Sequence, residues 1–245
     1  MSRTVVAVGA GGPRTRVSMS SGAGTALVPR ILNRTADSAR VALVPGGAMV
    51  LGGDHLDVSI DVGPGCVLEV VEVGGTVAYD ADGAESSWLV NITVGEGARL
   101  LWMGRETVVS TGANLVRRTT VRLAERACAL LRETTVLGRS GERGGRVWQQ
   151  TTVTGPRRPV LVEELELDGA HPVPGVLHGQ SVMDSVLLVG RRPSEDVGAM
   201  ALAEPGALAR FLGSATHDSP MGRVWSDWSG ELLAGDGADR AGGRR

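Results

Sequence analysis

The sequence predicts an all-β protein, a β-helical or solenoid-like stack of strand, glycine turn, strand repeats with one or two short C-terminal helices. Three observations predict it. Apolar residues alternate with polar ones over long stretches, glycine-centred turns interrupt the alternation, and the same phrase recurs along the chain. Leu56, Val58, Ile60 and Val62 alternate, Gly63-Pro64-Gly65 turns the chain, and Cys66, Leu68 and Val70 resume. Trp88, Val90, Ile92 and Val94 alternate in the same way, followed by Gly95-Glu96-Gly97 and then Ala98, Leu100 and Trp102. A degenerate third copy runs Thr119, Val121, Leu123, then Ala124-Glu125-Arg126, then Ala127, Ala129, Leu131. The turns begin after Val62, Val94 and Leu123, in steps of 32 and 29 residues. A partial copy at Val44-Pro45-Gly46-Gly47-Ala48 stands at an irregular offset of 18.

Glycine suits these turns because it reaches positive φ without a Cβ clash. Each unit alone would leave an apolar face in water, and stacking neighbours buries it, which favours a solenoid. A sandwich of hairpins is the competing architecture. Downstream, Val147, Gln149, Thr151 and Val153 predict a strand, Gly155-Pro156 a turn, and Val160 to Leu167 a second strand closed by Asp168-Gly169. From Ala199 to Leu212 the composition shifts to Ala, Leu and Glu; Pro205 suits a first helical turn, and a helix is expected with Ala207, Leu208, Phe211 and Leu212 on its apolar face. A second helix is expected near Val224 to Leu233, with Val224, Trp225, Trp228 and Leu232 on one side. Residues 1–233 are read as one domain and 234–245, small and charged, as a disordered tail.

Composition bounds the function. All 25 basic residues are Arg, 27 acids leave a net charge of -2, and no basic footprint for nucleic acid is present. No apolar run reaches the roughly 18 residues that span a bilayer, and no apolar leader opens the chain, so a cytoplasmic location is the default expectation. Aromatic residues make up only 3%, so the core must be packed by Val, Leu, Ile and Ala. Cys66 and Cys128 fit neither a disulfide framework nor a zinc spacing. His55, His171, His178 and His217 are scattered and no Gly-x-Ser-x-Gly elbow occurs, so no hydrolase triad is suggested.

Some polar groups remain as candidates. Asp54, His55, Asp57 and Asp61 cluster after Gly52-Gly53, but the strand period puts His55, Asp57 and Asp61 opposite the apolar row, where a solvated face is the simpler reading. Glu106 follows Arg105 where the alternation runs out, as a surface ion pair or a transfer-path ligand. The loop Gly138 to Gly145 lacks the phosphate-loop pattern and opens no helix; it presents Arg139 and Glu142 either to a partner or simply to solvent.

Taken in order, several fragments resemble the urease accessory protein family UreD, also called UreH. Gly53-Asp54-His55-Leu56 is similar to its Gly-Asp-x-Leu strand entry, and Gly63-Pro64-Gly65-Cys66 to its Gly-x-Gly-Ala turn. Thr76 and Tyr79 fall where the family has Thr, Lys, hydrophobic, Tyr. Trp102 to Val108 resembles its Leu-Pro-Gln-Glu-Thr-Ile stretch, with Gly112-Ala113 following, and Leu137-Gly138-Arg139 with Gly141-Glu142 its later Gly-Arg loop. Arg210-Phe211-Leu212-Gly213 and Trp225 resemble its C-terminal helices, so the likeness spans Gly46 to Trp228. Val77 in place of the family's Lys and Gly104 in place of its Pro mark a divergent member.

The resemblance implies a non-catalytic β-helical scaffold that binds UreF, through it UreG, and apo-urease. Nickel is implied as a transiently transferred ion moving through an internal path, with no tightly bound cofactor. On that basis Asp54 and Glu106 are the expected path or strand-end contacts, Arg139 and Glu142 the loop or partner contacts, and Phe211, Trp225 and Trp228 the UreF-facing helix surface. Two other functions compete. A β-helical scaffold for iron–sulfur assembly needs a Cys or His pair, which Cys66 and Cys128 supply if they stack. A β-helix carbohydrate lyase or hydrolase needs acids and a base such as Asp57, Asp61 and Arg99 gathered on one face.

Overall fold

The turns carry the architecture. In the computed structural model, which describes residues 2–22, 27–47, 50–80, 82–194 and 198–234, each repeat turn donates a backbone hydrogen bond to the turn of the preceding coil. Gly63 N–H donates to Val8 O (2.7 Å), Gly95 N–H to Val62 O (2.7 Å) and Ala124 N–H to Val94 O (2.9 Å). Within each turn the chain closes on itself, Cys66 N–H to Gly63 O, Ala98 N–H to Gly95 O and Ala127 N–H to Ala124 O. The third turn residue takes positive φ: Gly65 at 68°, Gly97 at 62° and Arg126 at 58°. The degenerate third copy therefore keeps the turn geometry while carrying a side chain in a conformation that ordinarily favours glycine.

Strands on the two sides of these turns build two sheets. One contains β1 (Ser2–Gly9), β2 (Arg16–Ser21), β5 (His55–Val62), β8 (Glu85–Val94), β10 (Asn114–Leu123), β12 (Arg146–Thr154) and β13 (Pro159–Asp168), in the order β13-β12-β10-β8-β5-β1-β2. The other contains β3 (Leu27–Arg34), β4 (Ser38–Pro45), β6 (Val67–Glu72), β9 (Arg99–Val109), β11 (Cys128–Leu137), β14 (Val182–Val189), β15 (Met200–Ala201) and β16 (Gly206–Gly213), in the order β15-β16-β14-β11-β9-β6-β4-β3, with β7 (Thr76–Ala78) also paired to β9. Strands β1, β5, β8, β10 and β12 run parallel, as do β4, β6, β9 and β11. The chain thus winds from one sheet to the other coil by coil, the expected solenoid-like stack, and antiparallel strands close both ends.

The partial copy read at Val44 to Ala48, of which Ala48 lies outside the described residues, is not a repeat turn. Val44 and Pro45 are the last two residues of β4, on the opposite side of the coil, which explains the irregular offset. The true equivalent of Val62 is Val8, and β2 and β3, which intervene before β4, hide the match.

Inward residues of both sheets form the main core, including Val58, Ile60, Leu68, Trp88, Val90, Ile92, Leu100, Leu115 and Leu131. A second core lies on the outer face of the β14-bearing sheet. There Leu101, Leu130, Val186, Leu188, Ala207 and Ala209 are covered by α1 (Met221–Ala234) through Met221, Val224, Trp228 and Leu232. The helix start is fixed by Asp184, which is 1% exposed. Its carboxylate accepts from Arg132 Nη2 (2.8 Å), Thr134 Oγ1 (3.0 Å) and Ser219 Oγ (2.6 Å), and Ser219 Oγ in turn accepts Met221 N–H.

The helix expected over Ala199 to Leu212 is not there. Phe211 stands on strand β16, whose backbone is claimed by β14, and its Ala and Leu residues serve two faces: Ala207 and Ala209 lie under α1, while Leu208 joins the main core. Small outward residues there let Trp228 approach the sheet. The second expected helix is α1, but Trp228 is 1% exposed and packs inward, so it is no partner-facing side chain; Trp225 is half-buried. Of the tail placed at 234–245, Ala234 is the last residue of α1 and Gly235 to Arg245 lie outside the described residues. No helix among the described residues is long and apolar enough to cross a membrane.

Because Trp228 fills the centre of the second core, Trp228→Ala is expected to lower stability by about 3–5 kcal/mol, measured by denaturant unfolding, while leaving the far-UV β signature intact.

Candidate functional site

A strand in this stack alternates between an inward and an outward phase, and an inward phase is meant for apolar side chains. The main core breaks that rule along one line. On β6 the inward phase runs Leu68, Val70, Glu72; on β10 Leu115, Arg117, Thr119, Val121; on β11 Ala129, Leu131, Glu133, Thr135; on β12 Val147, Gln149, Thr151, Val153. The polar members fall beside one another across the strands, and they form a file that crosses the stack between the sheets.

The file begins at an interruption in the strand ladder. β6 and β7 both pair with β9, and the gap between them faces a bulge around Gly104 and Arg105. There is no room at Gly104 for a side chain, since a Cβ would lie 2.6 Å from Arg132 O. The Arg105 N–H finds Glu72 Oε2 (2.9 Å), and Trp102 Nε1 donates to Glu72 Oε1 (3.1 Å). Burial raises the Glu72 carboxyl above its ordinary value, and the Glu133 charge adds to that rise; the Arg117 charge and the Arg105 and Trp102 donors oppose it without cancelling it.

Next comes Arg117, 6% exposed, whose guanidinium lies 4.3 Å from the centre of the Trp88 ring. Its Nη1 donates to Thr107 Oγ1 (2.8 Å) and its Nη2 to Glu133 Oε1 (3.0 Å). Thr119 Oγ1 also donates to Glu133 Oε1 (3.1 Å), and Gln149 Nε2 to Glu133 Oε2 (3.1 Å). Thr135 Oγ1 then donates to Gln149 Oε1 (3.2 Å). At the end of the stack Arg210 grips Glu163 with two bonds (2.9 and 2.7 Å) and donates to Ser185 Oγ (2.9 Å), bridging the edges of the two sheets.

Two small cavities lie along the file. One of about 20 Å³ is lined by Glu133, Gln149, Thr151, Glu163, Ser185 and Arg210 together with four leucines, and one of about 10 Å³ lies beside Trp102, Arg117, Thr119 and Glu133. Each has the scale of a single water. The file is therefore polar but side chains fill it, and these two cavities are voids within it.

The UreD model, described as UreD urease accessory protein, matches residues 2–237. The chain belongs to the UreD family. It is 42% identical over 213 residues to Urease accessory protein UreD 1 of Streptomyces griseus, covering 85% of this chain and 84% of that protein. It is 34% identical over 215 residues to UreD 3 of the same organism (84% and 80% covered), and 33% identical over 222 residues to Urease accessory protein UreD of Streptomyces coelicolor (84% and 87%).

Within this UreD fold the residues singled out from sequence stand outside the file. Asp54 caps the turn that enters β5, its Oδ2 accepting Leu51 N–H (2.8 Å). Glu106, half-buried, is in register with Thr134, one residue out of phase with the inward Thr107. Glu142 staples its own loop: it accepts from the backbone N–H groups of Arg139 (3.0 Å) and Thr111 (3.2 Å) and from the Arg139 guanidinium. His55, Asp57 and Asp61 lie on the outer face of β5, and Arg99 on the opposite sheet, so the acids and base of a lyase are not gathered. Cys66 and Cys128 do not stack, because Cys66 occupies the turn position of Ala98 and Ala127 in the main core, whereas Cys128 pairs with Arg99 one residue later and packs toward the helix side.

The signal that finds the file is phase. Glu72, Arg117, Glu133 and Gln149 are polar residues at positions the apolar alternation reserves, a pattern visible once the strand bounds are known.

Glu142 is held low, at about 2, by its hydrogen bonds from Arg139. A depressed carboxylate stabilises its loop fully above the unfolded value of 4.5 and loses that contribution as pH falls toward about 2. Hydrogen exchange at the Arg139 and Thr111 amides is therefore expected to lose protection across that window, and Glu142→Gln to show the loss already at neutral pH.

Proposed function

We propose that this chain is a non-catalytic urease maturation scaffold that binds UreF, through it UreG, and apo-urease, and that it gives nickel a transient route through the polar file. Family membership supports the urease assignment, and the file supports the route. A stability-driven core has no use for three carboxylates and two arginines between its sheets, since a buried ion pair is often no more stable than a well-packed apolar replacement. A path for a hydrated divalent cation has use for hard oxygen donors, and Glu72, Thr107, Thr119, Glu133, Gln149 and Glu163 supply them in sequence. A path must also release what it takes up, which suits carboxylates spread along the stack better than one tight cage. Among the described residues no group of three or more His, Cys, Asp or Glu is arranged to hold a metal.

The UreF-facing surface in this reading lies at α1 with Trp225 and the adjoining β16, where Phe211 packs beside the helix. Partner binding and nickel transfer then use different parts of the molecule, the outer face of one sheet and the space between both.

Co-expression with the cognate UreF and UreG, followed by size-exclusion chromatography and nickel-dependent urease activation with and without this chain, tests the proposal. A co-eluting complex and loss of activation on omission are expected. Full activation without the chain contradicts it.

A further inference from the structure

The acids of the file are already occupied. Glu133 Oε1 accepts from Arg117 and Thr119, and Oε2 from Gln149, so both oxygens are taken, and the Arg117 guanidinium and the Gln149 amide nitrogen have no lone pair to offer a metal in return. Glu163 is gripped at both oxygens by Arg210. Glu72 lies within the field of the same Arg117. A divalent cation entering this file meets a fixed positive charge beside Glu133 and another beside Glu163, in a water-poor interior where such repulsion is strong.

Arg117 is also the least settled member. Its Nε–H has no acceptor among the described residues, although the side chain is almost fully buried, and neither has the indole Nε1–H of Trp88 beneath it. A buried N–H without an acceptor is a costly arrangement. The guanidinium is retained by the Trp88 face and two hydrogen bonds, next to a small cavity.

We propose that Arg117 is the resident counter-cation of the file, a specificity-determining residue that keeps Glu133 from forming a tight divalent-metal site. The file of the free protein is closed to metal while Arg117 stays on Glu133, and a cation gains ligands only when the guanidinium moves off. Arg210 plays the same part for Glu163 at the far end. This rests on the reading of the file as a metal route, and it adds the charge that closes the route.

The experiment is thermal unfolding of the untagged full chain with and without nickel(II) chloride, for wild type, R117K, R117Q and R117Q/E133Q. Removing the cation leaves the Glu133 carboxylate uncompensated, so R117Q is expected to melt below wild type without metal. At a hundredfold excess of nickel over Kd it is expected to recover by about 5 °C or more. Wild type and R117K, which keeps the charge, are expected to respond less, and R117Q/E133Q to lose the recovery. The proposal is overturned if nickel shifts R117Q no more than wild type, including an R117Q that stays unfolded at every nickel concentration, or if R117Q/E133Q recovers as R117Q does. Omission of the wild-type chain from urease activation separates the two ideas. Recovery of R117Q by nickel alongside full activation without the chain keeps the counter-cation and removes the route; the reverse pair of results removes the counter-cation alone.

Discussion

Glu133 joins the two sheets from inside. It belongs to β11, and its three donors, Arg117, Thr119 and Gln149, come from β10 and β12 in the facing sheet. The Arg117 side chain is only 8% exposed, so solvent is a poor substitute for a lost partner, and the carboxylate and the guanidinium oblige one another. Removing Glu133 costs on the order of 3–5 kcal/mol, because Arg117 is left charged and buried; removing Arg117 costs less, because the Glu133 side chain keeps 19% of its surface exposed. The rest of the file is arranged around that obligation: Thr107 completes Arg117, Thr135 completes Gln149, and Trp88 lends its ring to the cation.

The turn ladder places these groups opposite one another. Each repeat turn is bonded to the one before it, so successive strands keep one register and inward residues of neighbouring coils line up. A single-residue slip would turn Arg117 outward and bring Val116 or Arg118 in. The bulge at Gly104 and Arg105 is the one place where β9 steps out of simple register with β11, and there the ladder hands a backbone N–H to Glu72. The closing elements serve the outer face instead: Asp184 anchors the start of α1, and Ala207 and Ala209 make room for Trp228.

Much of this was legible in the sequence. The alternation around Val58, Val90 and Val121 located β5, β8 and β10 and their phase, and the glycine turns located the coil ends. The span from Ala199 to Leu212 misled because Ala, Leu and Glu favour a helix locally. Pairing to β14 and burial on two faces override that preference, a constraint contained in distant residues. The file was harder to see. Asp54 and Glu142 are acids beside glycines, where turn geometry uses them for local caps. Glu72 and Glu133 stand in apolar rows and look like exceptions until both sheets are in place, because their partners are 33 and 16 residues away at Arg105 and Arg117.

The most direct measurement is the nickel content, per active site, of urease matured with Glu133→Gln in place of the wild-type chain, taken from preparations in which the variant still co-elutes with UreF and UreG. If the file carries the metal, urease from those preparations holds far less nickel than wild type delivers although the assembly is intact. Full nickel occupancy with the variant would contradict a route between the sheets and leave the chain as a docking scaffold alone.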